Sequence, residues 1–129
     1  MKIGELAIKS ALGIDTLRYY ERIGLLPRTL RDASNQRVYD PSILVWVEFL
    51  SRLKATGMPL RDMVIYAQMR GQGLHTSAQR CDILNDHRTL VRAKLAELTD
   101  NLAMLDKKII DYQTYLETKN DKSDQSNPL

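Results

Sequence analysis

Between Gly73 and Pro128 the chain contains no glycine and no proline, and apolar residues recur inside that stretch with a seven-residue period. Leu84, Val91, Leu98, Leu105 and Tyr112 occupy one core position, and Leu95, Leu102, Ile109 and Leu116 the other; only Arg88 breaks the stripe. Thr76 and Gln79 have the spacing of a capping box, which predicts a helix start there. A helix of roughly 40 residues at 1.5 Å per residue reaches about 60 Å, far more than one small globular domain needs. Such a helix requires a partner to cover its apolar side, so residues 74–118 are expected to form a coiled-coil dimerisation helix. Residues 119–129 are polar and are expected to be disordered.

The rest of the chain reads as short elements. Ile3, Leu6 and Ala7 lie at helical spacing before a break at Ser10 to Gly13. Asp15 is a candidate N-cap, because its carboxylate can accept free amide hydrogens of the next turn, and Gly24 can close that helix in a left-handed conformation. Two short helices separated by a tight turn result. Pro27 stops any helix. Asp32-Ala33-Ser34-Asn35 supplies turn chemistry ahead of the extended-looking Arg37-Val38-Tyr39, so residues 25–40 predict a small hairpin, or wing. From Pro41, Leu44, Val47, Leu50 and Leu53 mark the apolar face of a helix that ends at Gly57. Pro59 opens another, with Leu60, Met63, Val64 and Ala67 inward, and Gly71-Gln72-Gly73 reads as a hinge. Trp46 and the methionines read as core.

Charge is uneven along the 129 residues. Residues 1–70 carry 11 Lys/Arg against 7 Asp/Glu, and residues 71–129 carry 8 against 9, so the basic excess lies in the first part. That suits a polyanionic partner. The N-terminus mixes Lys2, Glu5 and Lys9 with its apolar residues, unlike a signal peptide, and no run reaches membrane-spanning length; a cytoplasmic location without membrane contact is the expectation. One cysteine, Cys81, precludes an intrachain disulfide and a multi-thiolate metal site within one chain.

The helix at 15–23 carries the most chemistry. Leu17 and Tyr20 can face a core while Thr16, Arg18, Tyr19 and Arg22 project outward. An arginine fork can reach guanine edges or phosphates, and the hydroxyls can donate to phosphate oxygens. By amphipathicity alone, an exposed helix with ordinary polar residues fits equally well.

The string Thr16-Leu17-Arg18-Tyr19-Tyr20-Glu21-Arg22-Ile23-Gly24-Leu25-Leu26 resembles the signature of the MerR family of regulators. Arg37-Val38-Tyr39 resembles the end of that family's first wing, and Lys54-Ala55-Thr56-Gly57-Met58-Pro59-Leu60 the junction before its second wing helix. The resemblance covers residues 1–70. It implies an all-α fold with a small wing hairpin: a winged helix-turn-helix DNA-binding domain over 1–73, then a long C-terminal helix pairing antiparallel in a homodimer. It assigns Thr16, Arg18, Tyr19 and Tyr20 to the recognition helix, Arg37 and Tyr39 to wing contacts with the DNA backbone, and Arg61 to the second wing. Arg28 and Arg31 rank behind these as wing contacts. The implied activity is transcription regulation: binding a palindromic promoter site as a dimer, distorting the duplex, and meeting RNA polymerase there.

The sequence departs from the family pattern at the wing turn, where Asn35 and Gln36 stand in place of a frequent glycine and aromatic. Asn tolerates the left-handed conformation, so the turn should survive. At the second wing helix Pro59 replaces a frequent hydroxyl cap. In general run the chain resembles the aldehyde- and nitrosative-stress-responsive subgroup, yet Phe49-Leu50-Ser51-Arg52-Leu53 lacks that subgroup's reactive cysteine, and the paired thiolates of metal sensors are absent near the helix end. The effector is therefore open, and no cofactor is expected. Cys81 sits beside Arg80 near a helix start, a setting that can lower a thiol pKa, but an inert cysteine is the simpler reading. His75 and His87 fit no zinc spacing. An architectural DNA-binding protein of the excisionase kind is the alternative; the long helix argues against it. An enzyme is not expected: no catalytic cluster is evident, and Tyr19 or Tyr20 as a strand-transfer nucleophile lacks an accompanying Arg and His set.

Overall fold

The computed structural model describes residues 1–27 and 29–119. Its first elements are α1 (Ile3–Ser10) and α2 (Ile14–Ile23), joined by a turn so tight that Ala11 adopts the left-handed conformation at φ 59°. That geometry costs a non-glycine residue on the order of 1 kcal/mol. It is offset by seating Leu6 and Leu17, both fully buried, against each other's helices. Gly24, at φ 90°, ends α2 and lets the chain turn back, so that Leu25 and Leu26 drop into the core.

The expected N-cap is displaced. Helix α2 begins at Ile14 with Gly13 in the cap position, and Asp15 lies within its first turn without capping any amide through its side chain. The carboxylate still faces the positive end of the helix dipole there, which favours an acid in the first turn as well as at the cap.

Strands β1 (Leu30–Arg31) and β2 (Arg37–Val38) form the expected hairpin, antiparallel with Leu30 opposite Val38 and Arg31 opposite Arg37. Its turn is built by Asp32, whose Oδ1 accepts amide hydrogens from Ser34 at 2.9 Å and Gln36 at 3.0 Å. The Gln36 amide in particular holds the Asp32 carboxyl below its ordinary pKa. Asn35 takes the left-handed position at φ 61°, as its side chain allows.

Helices α3 (Ile43–Ala55) and α4 (Leu60–Gln72) complete the core. Val47, Leu50 and Met63 are at most 1% exposed; α3 packs on α1 and α4. Trp46 stacks on Tyr66 with ring centroids 6.0 Å apart and donates its indole N–H to the Leu25 carbonyl at 2.8 Å, which satisfies its one polar atom inside the core. The hinge expected over residues 71–73 reduces to Gly73 at φ 116°, since α4 continues through Gln72.

A single 3-10 turn (Leu74–Thr76) leads into α5 (Ser77–Lys119). Thr76 does not act as the start of a capping box. Its buried hydroxyl lies 2.7 Å from the Met69 carbonyl and 2.8 Å from that of Gly73, so it ties the turn back to the end of α4. The 43 residues of α5 span about 65 Å.

Two compact units divide the chain, Met1–His87 and Arg88 onward. The first turns of α5 belong to the former: Ile83 and Leu84 are half-buried against its core, and His87 Nε2 is 2.7 Å from Thr56 Oγ1. Among the described residues of the second unit no side chain is buried; Leu95, Leu98, Leu102, Leu105, Ile109 and Leu116 are each more than half exposed. Among the described residues no helix is long and apolar enough to cross a membrane, and no group of three potential metal ligands occurs. Residues 120–129, which include most of the polar tail, lie outside the described residues, as does Arg28.

Candidate nucleic-acid interface

Leu17 and Tyr20 anchor the inner face of α2, at 0% and 3% exposure. Helical spacing then forces Arg18, Tyr19 and Arg22 to the outside, with Thr16 half-buried between the faces. The guanidinium of Arg22 lies over the Tyr19 ring, 5.3 Å from its centroid, and this contact holds both side chains in place. Arg18 has no carboxylate partner among the described residues, so its donors are free for an outside acceptor.

Glu21, half-buried on α2, binds the wing to this helix. Its Oε2 accepts the Tyr39 hydroxyl hydrogen at 2.9 Å, and its Oε1 sits 2.8 Å from Arg37 Nε. The Nε–H is not aimed along that line, so the Arg37 contact is an ion pair rather than a hydrogen bond. Burial first, and then the bond to Glu21, pushes the Tyr39 pKa up to about 12, which keeps its hydroxyl a donor at any ordinary pH. A two-stranded hairpin alone is marginal in water. Here one carboxylate on α2 holds Arg37 of β2 and Tyr39 just beyond it, and Lys2 reaches across to Asp32 at 3.3 Å and to Gln36.

Two clefts flank Arg18. One, of about 430 Å³, is lined by Lys2, Arg18, Arg31 and Arg37 together with residues at the start of α1 and in the wing turn; the other, of about 480 Å³, by Arg18, Glu21, Arg22, Leu26 and Arg37. Four cations around the first cleft and three around the second, with Lys2 paired to Asp32 and Arg37 to Glu21, leave a net positive surface suited to phosphates.

A family model described as "MerR family regulatory protein" matches residues 2–39. A Haemophilus influenzae uncharacterised HTH-type transcriptional regulator is 34% identical over 107 residues, covering 83% of this chain and 79% of that one. The chain belongs to the MerR family. The Bacillus subtilis HTH-type transcriptional regulator AdhR is 35% identical over 88 residues, 68% of this chain; that match spans 63% of the length of AdhR. Among solved structures, the MerR family regulator HiNmlR, which lacks the sensor domain and is bound to promoter DNA, superposes with a TM-score of 0.78 at 32% identity, covering 88% of this chain and 90% of that one. The relatives are thus transcriptional regulators rather than enzymes, and the winged helix-turn-helix plan with a long C-terminal helix is a MerR architecture.

Within that MerR plan the structure brings Arg18 and Arg37 together at both clefts, Arg31 joins them at the first with its Nη1 donating to the Asn35 carbonyl at 2.8 Å, and Tyr19 is exposed on α2 beneath Arg22. Tyr20 and Tyr39 are in the core, with the Tyr39 hydroxyl engaged by Glu21. Arg61 is exposed in the first turn of α4, whose start at Pro59 has no side-chain cap. Of the heptad residues, Leu84 is half-buried in the first compact unit; Leu95, Leu98, Leu102, Leu105, Ile109, Tyr112 and Leu116 are exposed and Val91 half-buried. Cys81 is exposed, with Asn85 Nδ2 at 3.6 Å from its sulfur. Sequence reasoning missed Glu21. The signal was an acid at the centre of a string otherwise made of cations and tyrosines.

Proposed function

We propose that this MerR-family chain is a sequence-specific transcription regulator that binds duplex DNA as a homodimer. Residues 1–73 make up the DNA-binding domain and residues 74–118 the dimerisation helix. The observation that carries this reading is the outward face of α2, where Arg18, Tyr19 and Arg22 project beside a wing clamped by Glu21. Arg18 reads a base edge in the major groove, Thr16, Tyr19 and the Tyr20 hydroxyl contact phosphates, Arg37 flanks the backbone from the wing, where Tyr39, buried and held by Glu21, sets the hairpin instead of touching DNA, and Arg61 reaches the backbone from α4.

The uncovered stripe on α5 supports the dimer, and Arg88 supports its direction. Parallel pairing would set Arg88 against the partner's Arg88 in one core layer, two like charges face to face. Antiparallel pairing about Asp100 sets Leu84 against the partner's Leu116, Val91 against the partner's Ile109, Leu95 against the partner's Leu105 and Leu98 against the partner's Leu102. It leaves Arg88 facing the partner's Tyr112, an aromatic ring rather than a second guanidinium. A two-fold dimer of this kind matches a palindromic operator. Phosphate contacts from both heads would supply the energy to distort the promoter for RNA polymerase.

Selection of genomic duplex fragments by the purified protein tests the reading. The expected result is enrichment of palindromic sites within promoter spacers, bound by a dimer with affinity falling steeply as salt rises. A monomer in solution with no salt-sensitive affinity for any duplex would sink it.

A further inference from the structure

In a heptad helix the residues that border the apolar seam are those just after the first core row and just before the second. Along α5 beyond His87, four of these border residues are charged. Arg92 and Asp106 directly follow Val91 and Leu105 on one flank; Lys94 and Lys108 directly precede Leu95 and Ile109 on the other.

Side chains three or four residues apart on a helix are neighbours, and those one or two apart do not face each other. By that spacing Lys94 has an acid of its own in Glu97, and Lys108 has one in Asp111. The other flank has no such provision. One turn either side of Arg92 stand a like charge, Arg88, and uncharged residues; one turn either side of Asp106 stand only leucine, alanine and isoleucine. Both side chains are exposed, and neither has an ion pair among the described residues.

The antiparallel alignment about Asp100 supplies what the single helix lacks. It places Arg92 beside the partner's Asp106, two residues or about 3 Å apart in height, and the two-fold axis repeats the contact at Asp106. Other alignments do not. Parallel pairing faces Arg92 with the partner's His87 and Asp106 with the partner's Asn101. An antiparallel slip of one heptad faces the two with the partner's Gln113 and Thr99 in one direction, and with the partner's Thr99 and Asn85 in the other.

We infer that Arg92 and Asp106 form two reciprocal ion pairs across the α5 dimer, which fix its direction and register and select a second copy of this chain as the partner. The inference rests on the dimer reading above. Ion pairs at an exposed rim add little affinity, so their effect is discrimination: a helix with the same apolar seam but other charges at these two positions leaves both groups unpaired or opposed.

Charge exchange in the full chain tests this. Arg92→Asp alone opposes carboxylates at both edges, and Asp106→Arg alone opposes guanidiniums. Each homodimer should be about tenfold weaker than the native one in sedimentation, the sum of four small terms of lost attraction and added repulsion. Mixed in equal amounts, the two single variants are complementary at both edges, so native mass spectrometry should show their heterodimer well above its statistical share. A variant that had merely lost its helix would not be rescued in this way. Arg92→Asp/Asp106→Arg in one chain should restore the native dimer affinity. Single variants that dimerise as tightly as the native chain, a mixture at statistical proportions, or no recovery in the double exchange would each overturn the pairing while leaving the dimer standing. A native chain that sediments as a monomer would overturn the dimer reading and the pairing together.

Discussion

The unit ending at His87 and the helix beyond it solve the same problem in opposite ways. In the former, five helical segments, counting the first turns of α5, and the loops between them bury fourteen apolar side chains, from Leu6 to Tyr66, and even the indole N–H of Trp46 finds an internal acceptor. In the latter, the apolar residues are just as regular but none of the described residues covers them. Periodicity alone does not distinguish the two; what differs is whether the chain folds back. A stripe with no returning segment states its need for another molecule as clearly as a closed core states self-sufficiency.

The largest effect should come from breaking that stripe. Leu98→Asp with Leu105→Asp is expected to leave a monomer in sedimentation and to weaken operator binding by about 100-fold or more, the size of a lost two-point attachment. Trp46 emission should not change, because the tryptophan reports only on the self-contained unit. A double variant that still sediments as a dimer would show the heptad assignment to be wrong. Arg18→Ala sharpens the contrast from the other side: dimerisation and stability should stay as they are while affinity for the specific site drops by roughly 1–3 kcal/mol. Unchanged operator affinity in a binding titration would remove Arg18 from the reading surface.

The smallest effect concerns the clasp within the first unit. Tyr39→Phe removes the donor to Glu21 and should cost about 1 kcal/mol in denaturant unfolding. Because the folded-state pKa of Tyr39 is raised from 10.0 to about 12, its contribution is intact below pH 10 and lost as pH rises through 12. The alkaline decline in stability should accordingly be shallower in the Phe variant than in the native chain; equal slopes would mean the hydroxyl is not held by Glu21.

Much of this was legible beforehand because it depends on neighbours in sequence. Gly24 and Asn35 occupy the left-handed positions their types permit, Pro59 precedes a helix, and the seven-residue stripe is one uninterrupted helix. The failures are also of one kind. Thr76 and Gln79 match a capping box, but the Thr76 hydroxyl is drawn to the Met69 carbonyl seven residues back, a competitor visible only once α4 has been laid beside the turn. Asp15 has cap chemistry, but the backbone enters the helix one residue earlier, at Ile14. Glu21 reads as a solvent-facing acid until the wing brings Arg37 of β2 and, eighteen residues from Glu21, Tyr39 against it. Side-chain bonds between elements distant in sequence leave no periodic trace.

That last bond has a bearing on retargeting. A designer who grafts a foreign reading helix onto this scaffold to change which operator it selects also exchanges the residue that orients the neighbouring hairpin. Without a carboxylate at position 21 the transplanted helix would arrive with a loose wing, losing grip on every site, and the experiment would be mistaken for a failure of the code when only the mounting had been lost.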